Sequence, residues 1–164
     1  MAEPKPVILI VDDEASVRES FSLILGKEFK VITAASGEAA LKRTIDEKVD
    51  LVYLDIRMPG MNGMEALSRL KEIDPAIDVI MVTAVNDVGS AASAIKLGAK
   101  DYVIKPFDVD DILKRTRKII IKAQSKKIKL SEEEGLIGNY SQIVSIRKIL
   151  EQASSKNTTM LITG

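Results

Sequence analysis

The sequence contains no histidine, no cysteine and no tryptophan in 164 residues. Those absences exclude Ser-His-Asp and Cys-His nucleophile systems, imidazole and thiolate metal sites, disulfides and redox thiols. An excess of one charge is lacking too: 24 Lys and Arg balance 24 Asp and Glu, so no global field favours nucleic acid or an anionic membrane. Long hydrophobic runs are also missing. The first, VILIV at 7–11, is stopped by Asp12 and Asp13, which fits neither a signal peptide nor a membrane span, and the expectation is a soluble, cytoplasmic protein. Carboxylate, lysine and hydroxyl chemistry is what remains. At 46% hydrophobic residues, the length suits one globular domain and a short remainder.

Five short runs rich in Val and Ile, at 7–11, 30–34, 49–54, 77–82 and 101–104, read as strands. Four of them lack a period of two, as strands of a parallel sheet covered on both faces do. Segments 15–25, 38–45, 64–73 and 88–97 between them have helical spacing, and a fifth helix begins near Asp108. Ser36 and Asn86 suit N-caps, and Asp74 before Pro75 suits a helix end. Five strand-helix units in succession predict a doubly wound α/β fold with a five-stranded parallel sheet, whose ligands bind beyond the carboxyl ends of the strands.

Those ends carry Asp12 and Asp13, Asp55, Thr83 and Lys105. Carboxylates held together repel one another unless a cation sits among them, and a hard, oxygen-ligated ion such as Mg²⁺ suits such a cluster. Mg²⁺ also accepts phosphate oxygens, so the same rim invites a phosphoryl group. An aspartate can act as nucleophile and form an acyl phosphate, while an ammonium and a hydroxyl bind phosphoryl oxygens. Asp55 is the candidate nucleophile by its central position, and the Pro and glycines of residues 57–63 build a tight loop beside it.

Taken together, Asp12-Asp13, DIRMPGMNG at 55–63, Thr83-Ala84 and Tyr102 ahead of Lys105-Pro106-Phe107 resemble the receiver domain of two-component response regulators, over residues 6 to about 125. The resemblance implies a flavodoxin-like, CheY-like fold. It implies Asp55 as phosphoacceptor, Asp13 as a direct Mg²⁺ ligand, Asp12 as a ligand through water or a hydrogen bond, and Arg57 as donor of its backbone carbonyl to the metal. Thr83 and Lys105 would bind the phosphoryl oxygens, and Tyr102 would be the aromatic whose rotamer follows Thr83. A sensor histidine kinase or a small acyl phosphate would be the phosphoryl donor. The fourth helix, fifth strand and fifth helix would carry the output, with homodimerisation on phosphorylation as one form of it.

Residues 112–131 carry eight Lys and Arg and no acid, and read as a solvated helix face because no aromatic is interleaved. The polar stretch 125–138 reads as a linker in which a helix is not expected, since Gly135 follows the Ser131 and Glu134 spacing at once. The tail, 139–164, resembles the opening of the AAA+ ATPase domain of sigma-54-dependent activators of the NtrC type, with Gly164 as the first glycine of the phosphate-binding loop. The Walker A lysine, Walker B segment and DNA-binding domain lie outside these residues, so the expectation is a receiver at 1–124 truncated at the start of its ATPase domain, with no DNA contact and no ATP hydrolysis of its own. The chain is read as a switch and not an enzyme, apart from slow self-dephosphorylation. Two rivals stand beside it. One is an aspartyl-phosphate phosphatase, disfavoured because Arg57 stands where a second, general-acid Asp is usual. The other is a pseudo-receiver that never takes up phosphate.

Overall fold

The computed structural model describes residues 3–133; residues 139–164, expected to open an ATPase domain, and 134–138, the last part of the expected linker, lie outside the described residues. Five strands, β1 (Val7–Val11), β2 (Lys30–Ala34), β3 (Leu51–Asp55), β4 (Asp78–Ala84) and β5 (Asp101–Lys105), form one sheet in the order β2-β1-β3-β4-β5, with every pairing parallel. The all-apolar runs become the central strands: every residue of β3 is buried, and four of five in β1. Edge strands β2 and β5 are largely half-buried, because one side of each has no neighbouring strand.

Alternation splits the core between the two faces of the sheet. Leu9, Val11, Val52, Leu54, Val79 and Met81 pack with residues of helices α2 (Gly37–Asp46), α3 (Gly63–Ile73) and α4 (Val88–Lys96). On the other face Tyr53 lies between Phe21 of helix α1 (Ala15–Leu25), ring centroids 4.8 Å apart, and Thr116 of helix α5 (Val109–Glu133), whose hydroxyl is 2.8 Å from the phenol oxygen. A doubly wound sheet covered on both sides is thus the observed fold, as the sequence predicts.

Capping follows the sequence with one displacement. Ser36 accepts from the Ala39 amide at 3.2 Å, Asn62 from the Glu65 amide at 2.9 Å, and Asp108 from the amides of Asp110 and Asp111 at 2.9 and 3.1 Å. Asn86 does not cap the fourth helix. It sits inside a single 3-10 turn, Val85–Asp87, which moves the N-cap of α4 to Asp87, whose side chain makes no capping bond.

The chain divides into two units, Met1–Thr116 and Arg117–Gly164. The first contains the sheet and the site described below. Of the second, the described part is the continuation of α5 to Glu133, so residues 125–133 are helical where the sequence reading has an irregular linker. The reason is local: from Ser125 to Glu133 there is no Gly or Pro, and the Lys, Leu and Glu found there are good helix formers.

Candidate functional site

The site lies at the carboxyl ends of β1 and β3, where β1 is flanked by β2 on one side and β3 on the other and the strand order reverses. At such a point the loops leave toward opposite faces and a crevice opens between them. Asp12 and Asp13 follow β1 directly, and Asp55 is the last residue of β3. One carboxylate oxygen from each lies within 4.8 Å of the others. Asp12 and Asp55 are buried, at 2% and 6% exposure, and Asp13 opens to solvent.

Lys105, the last residue of β5, reaches this cluster across the sheet. Its ammonium donates to Asp12 Oδ2 at 2.9 Å and stands 3.6 Å from Asp55 Oδ1. Burial works against that ammonium, yet the hydrogen bond to Asp12 and the fields of Asp55 and Asp12 hold its pKa above the usual lysine value. Burial first, and then the neighbouring charge of Asp12, push the Asp55 carboxyl up to about 6 against the pull of Lys105. Three acids facing one lysine leave an excess of negative charge. The donor set is hard oxygen throughout, which fits a small divalent cation with few protein ligands such as Mg²⁺.

Two further groups shape the cluster. The Glu14 amide donates to Asp12 Oδ1 at 2.9 Å, and Arg18 Nη1 donates to the carbonyls of Asp12 and Asp13 at 2.8 and 3.1 Å. Arg18 thereby clamps the backbone from which both acids project. Sequence reasoning missed it. A signal was present, since a cation this near the start of a helix opposes the helix dipole and calls for a nearby acceptor.

The loop after Asp55 is held by two glycines. Gly60 has φ of 76°, in the left-handed region, and a Cβ on Gly63 would stand 2.1 Å from the Asp55 carbonyl oxygen. Gly63 instead donates its amide to the Ile56 carbonyl at 2.8 Å, closing the turn into α3. The Lys105-Pro106 peptide bond on the opposite side of the crevice is cis.

The remaining expected residues are placed as follows. Thr83, buried at the end of β4, donates its hydroxyl to the Ala84 carbonyl at 3.2 Å and not to the acids. Tyr102 is half-buried on β5 opposite Met81, hence on the face of the sheet that Thr83 shares two residues further along β4. Arg57, expected to contribute its backbone carbonyl, places its exposed side chain in an ion pair with Asp87 at the start of α4. Asp87 is the second residue that sequence reasoning missed. On the β5-α5 face, Arg115 bridges Asp101 of β5 and Asp111 of α5 above a hollow of about 420 Å³ that Tyr102 also lines.

Known proteins are similar to the chain over this stretch. The family model of the response regulator receiver domain matches residues 8–117. The chemotaxis protein CheY of Listeria monocytogenes is 40% identical over 113 residues, covering 68% of this chain and 95% of that protein. The transcriptional regulatory protein ZraR of Salmonella typhimurium is 31% identical over 169 aligned positions, spanning 100% of this chain but 38% of the regulator. Among solved structures, the receiver domain of NtrX from Brucella abortus has a TM-score of 0.67 at 33% identity, covering 69% of this chain and 97% of that one.

Proposed function

The chain belongs to the response regulator receiver family of two-component systems, and from that premise we propose that it is a switch in which Asp55 accepts a phosphoryl group. The observation that carries this reading is the juxtaposition of Asp55 with Asp12, Asp13 and the Lys105 ammonium at the strand-order reversal. With its carboxyl pushed up to about 6, Asp55 is mostly ionised at neutral pH, as a nucleophile must be. A carboxylate oxygen attacks phosphorus, the bond to the donor breaks, and the electron pair leaves with the donor: a kinase imidazole nitrogen or the carboxylate of an acyl phosphate. Lys105 stands ready to neutralise one phosphoryl oxygen, and the Thr83 hydroxyl, at the adjacent strand end, can turn from Ala84 to donate to another. When bound by Asp12, Asp13, Asp55 and the Arg57 carbonyl, Mg²⁺ supplies charge neutralisation at the transferring phosphoryl group.

Movement of Thr83 draws on the face it shares with Tyr102, biasing α4, β5 and the start of α5 as the output surface. Alignment with ZraR over the whole chain supports a regulator of the NtrC type: a cytoplasmic receiver to about residue 124, a connecting segment at 125–138 and the start of an AAA+ domain at 139–164, with a sensor histidine kinase, the ATPase domain and a second copy as partners. Arg57, two residues after the nucleophile, argues against an aspartyl-phosphate phosphatase, which needs an acid there.

Intact mass after incubation with acetyl phosphate and Mg²⁺ tests the reading. One phosphoryl adduct, lost in Asp55→Asn and in EDTA, is expected, with a change in light-scattering mass if the output is assembly. No adduct on the wild type would establish the pseudo-receiver, and turnover of a chromogenic phosphate ester would establish the phosphatase.

A further inference from the structure

Helix α4 is lightly anchored. Of its residues only Ala91 and Ala94 are buried, Val85 in the preceding turn is 68% exposed, and its N-cap Asp87 makes no capping bond to the helix amides. Among the described residues, one side-chain hydrogen bond or ion pair joins this turn and helix to another element: Arg57 Nε to Asp87 Oδ2. Arg57 belongs to the loop that leaves Asp55, and the pair closes over a hollow of about 520 Å³ floored by Ile56, Met58 and Met64. The same guanidinium is also drawn by the Asp55 carboxylate two residues away. It therefore stands between two anions, one at the nucleophile and one at the cap of α4.

We propose that the Arg57 side chain is a phosphoryl-binding group held in reserve by Asp87: when Asp55 carries a phosphoryl group, the guanidinium leaves Asp87 for the phosphoryl oxygens and releases the N-terminus of α4. The inference rests on the phosphoacceptor reading of Asp55. Its chemistry is competition between acceptors. A phosphoryl group presents more charge than a carboxylate and matches the planar guanidinium fork in two-point contact, whereas in the pair with Asp87 the guanidinium lies largely in solvent, which weakens the pair. Freed of its partner, Asp87 keeps only the local contact with the Ser90 hydroxyl, 3.4 Å away, and nothing on α4 remains tied to the loop. Arg57 thus couples occupancy of Asp55 to the helix with no step through the interior.

The test is a double-substitution cycle with beryllofluoride, a phosphoryl mimic, titrated with Mg²⁺ into wild type, Asp87→Asn, Arg57→Ala and the double variant. Both residues lie on the surface outside the acid cluster, and Asn keeps an acceptor at the cap while removing the charge. Exchange predicts effects of opposite sign: Asp87→Asn binds about two- to five-fold tighter, Arg57→Ala about two- to five-fold weaker, and the double variant matches Arg57→Ala, since without the guanidinium Asp87 has nothing to compete for. A merely structural tie would move both single variants in the same direction, and that result overturns the proposal, as does persistence of the Asp87→Asn effect in the Arg57→Ala background. The Arg57 Nε–H resonance gives a second readout: in wild type it should leave its free-state position on saturation and converge with that of Asp87→Asn, and a resonance that stays put overturns the exchange alone. Failure of the wild type to bind, matching an Asp55→Asn control, overturns the phosphoacceptor reading and the exchange with it.

Discussion

Asp55 has conflicting demands placed on it: burial and the proximity of Asp12 disfavour its charge, while the proposed nucleophilic attack requires that charge. The conflict has a sign that can be measured. With a carboxyl at about 6 in the folded protein and an ordinary value of 3.8 in the unfolded chain, the folded state holds more protons between those two pH values. The Asp55 contribution to stability is therefore complete below pH 4 and declines as pH rises toward 6 and beyond. Asp55→Asn, which does not titrate, should gain on the wild type across that window, by about 1–2 kcal/mol at neutral pH after allowance for solvent screening at the rim. Urea unfolding of both proteins in EDTA from pH 4 to 7 checks this, and parallel pH profiles would refute it. Gly63 poses a steric question. A Cβ there would run into the Asp55 carbonyl and the Ile56 backbone, so Gly63→Ala should cost about 1–3 kcal/mol and reduce the rate of adduct formation from acetyl phosphate by displacing Asp55, the proposed nucleophile. A variant with unchanged unfolding midpoint and unchanged rate would show that the loop yields freely.

At the scale of elements, helix starts and sheet contacts behave as separable parts. Asn62 satisfies the Glu65 amide at the start of α3, so Asn62→Ala should lose about 1 kcal/mol, read from the urea midpoint. Tyr53→Phe removes the phenol bonded to Thr116 on α5, whose hydroxyl still donates to the Ile112 carbonyl at 2.7 Å. Because Thr116 is left satisfied, the expected loss is about 1 kcal/mol, and a loss several times larger would mean that the pairing organises the helix rather than merely joining it to β3. Helix α1, and strands β1 and β2, end where apolar pattern and punctuation say they should. α4 and α5 do not. The first turn of α4 tightens to 3-10 and moves its cap by one residue, and α5 runs through residues 125–133, because a polar composition without Gly or Pro is compatible with a helix as much as with a linker.

For the whole molecule, the sheet order decides which residues meet. Asp12, Asp55 and Lys105 are separated by tens of residues in the chain and come within hydrogen-bonding range or close to it only because β1 and β3 are neighbours and β5 lies on the same side of β3 as β4. If this rim switches the molecule, phosphorylation should move backbone amide resonances across 88–97 and 101–118 while leaving β1 and β2 largely unmoved. Unchanged resonances over those two stretches, in a sample shown by mass to carry the adduct, would sink the switch.

The sequence alone determined the strands, the helices between them and the acids and lysine at the strand ends, since each of these is written in local pattern: apolar runs, helical spacing, and charge placed just past a run. It also sufficed for the family resemblance, because the motifs recur at joint spacing. What only the tertiary structure decided is pairwise and long-range. The thirty-residue reach from Arg57 to Asp87 and the Lys105 ammonium on Asp12, 93 residues away in the chain, depend on where loops from different strands converge. A charged residue has several partners of comparable worth along a sequence, and the choice among them is made by geometry, which the fold supplies only once the sheet is assembled.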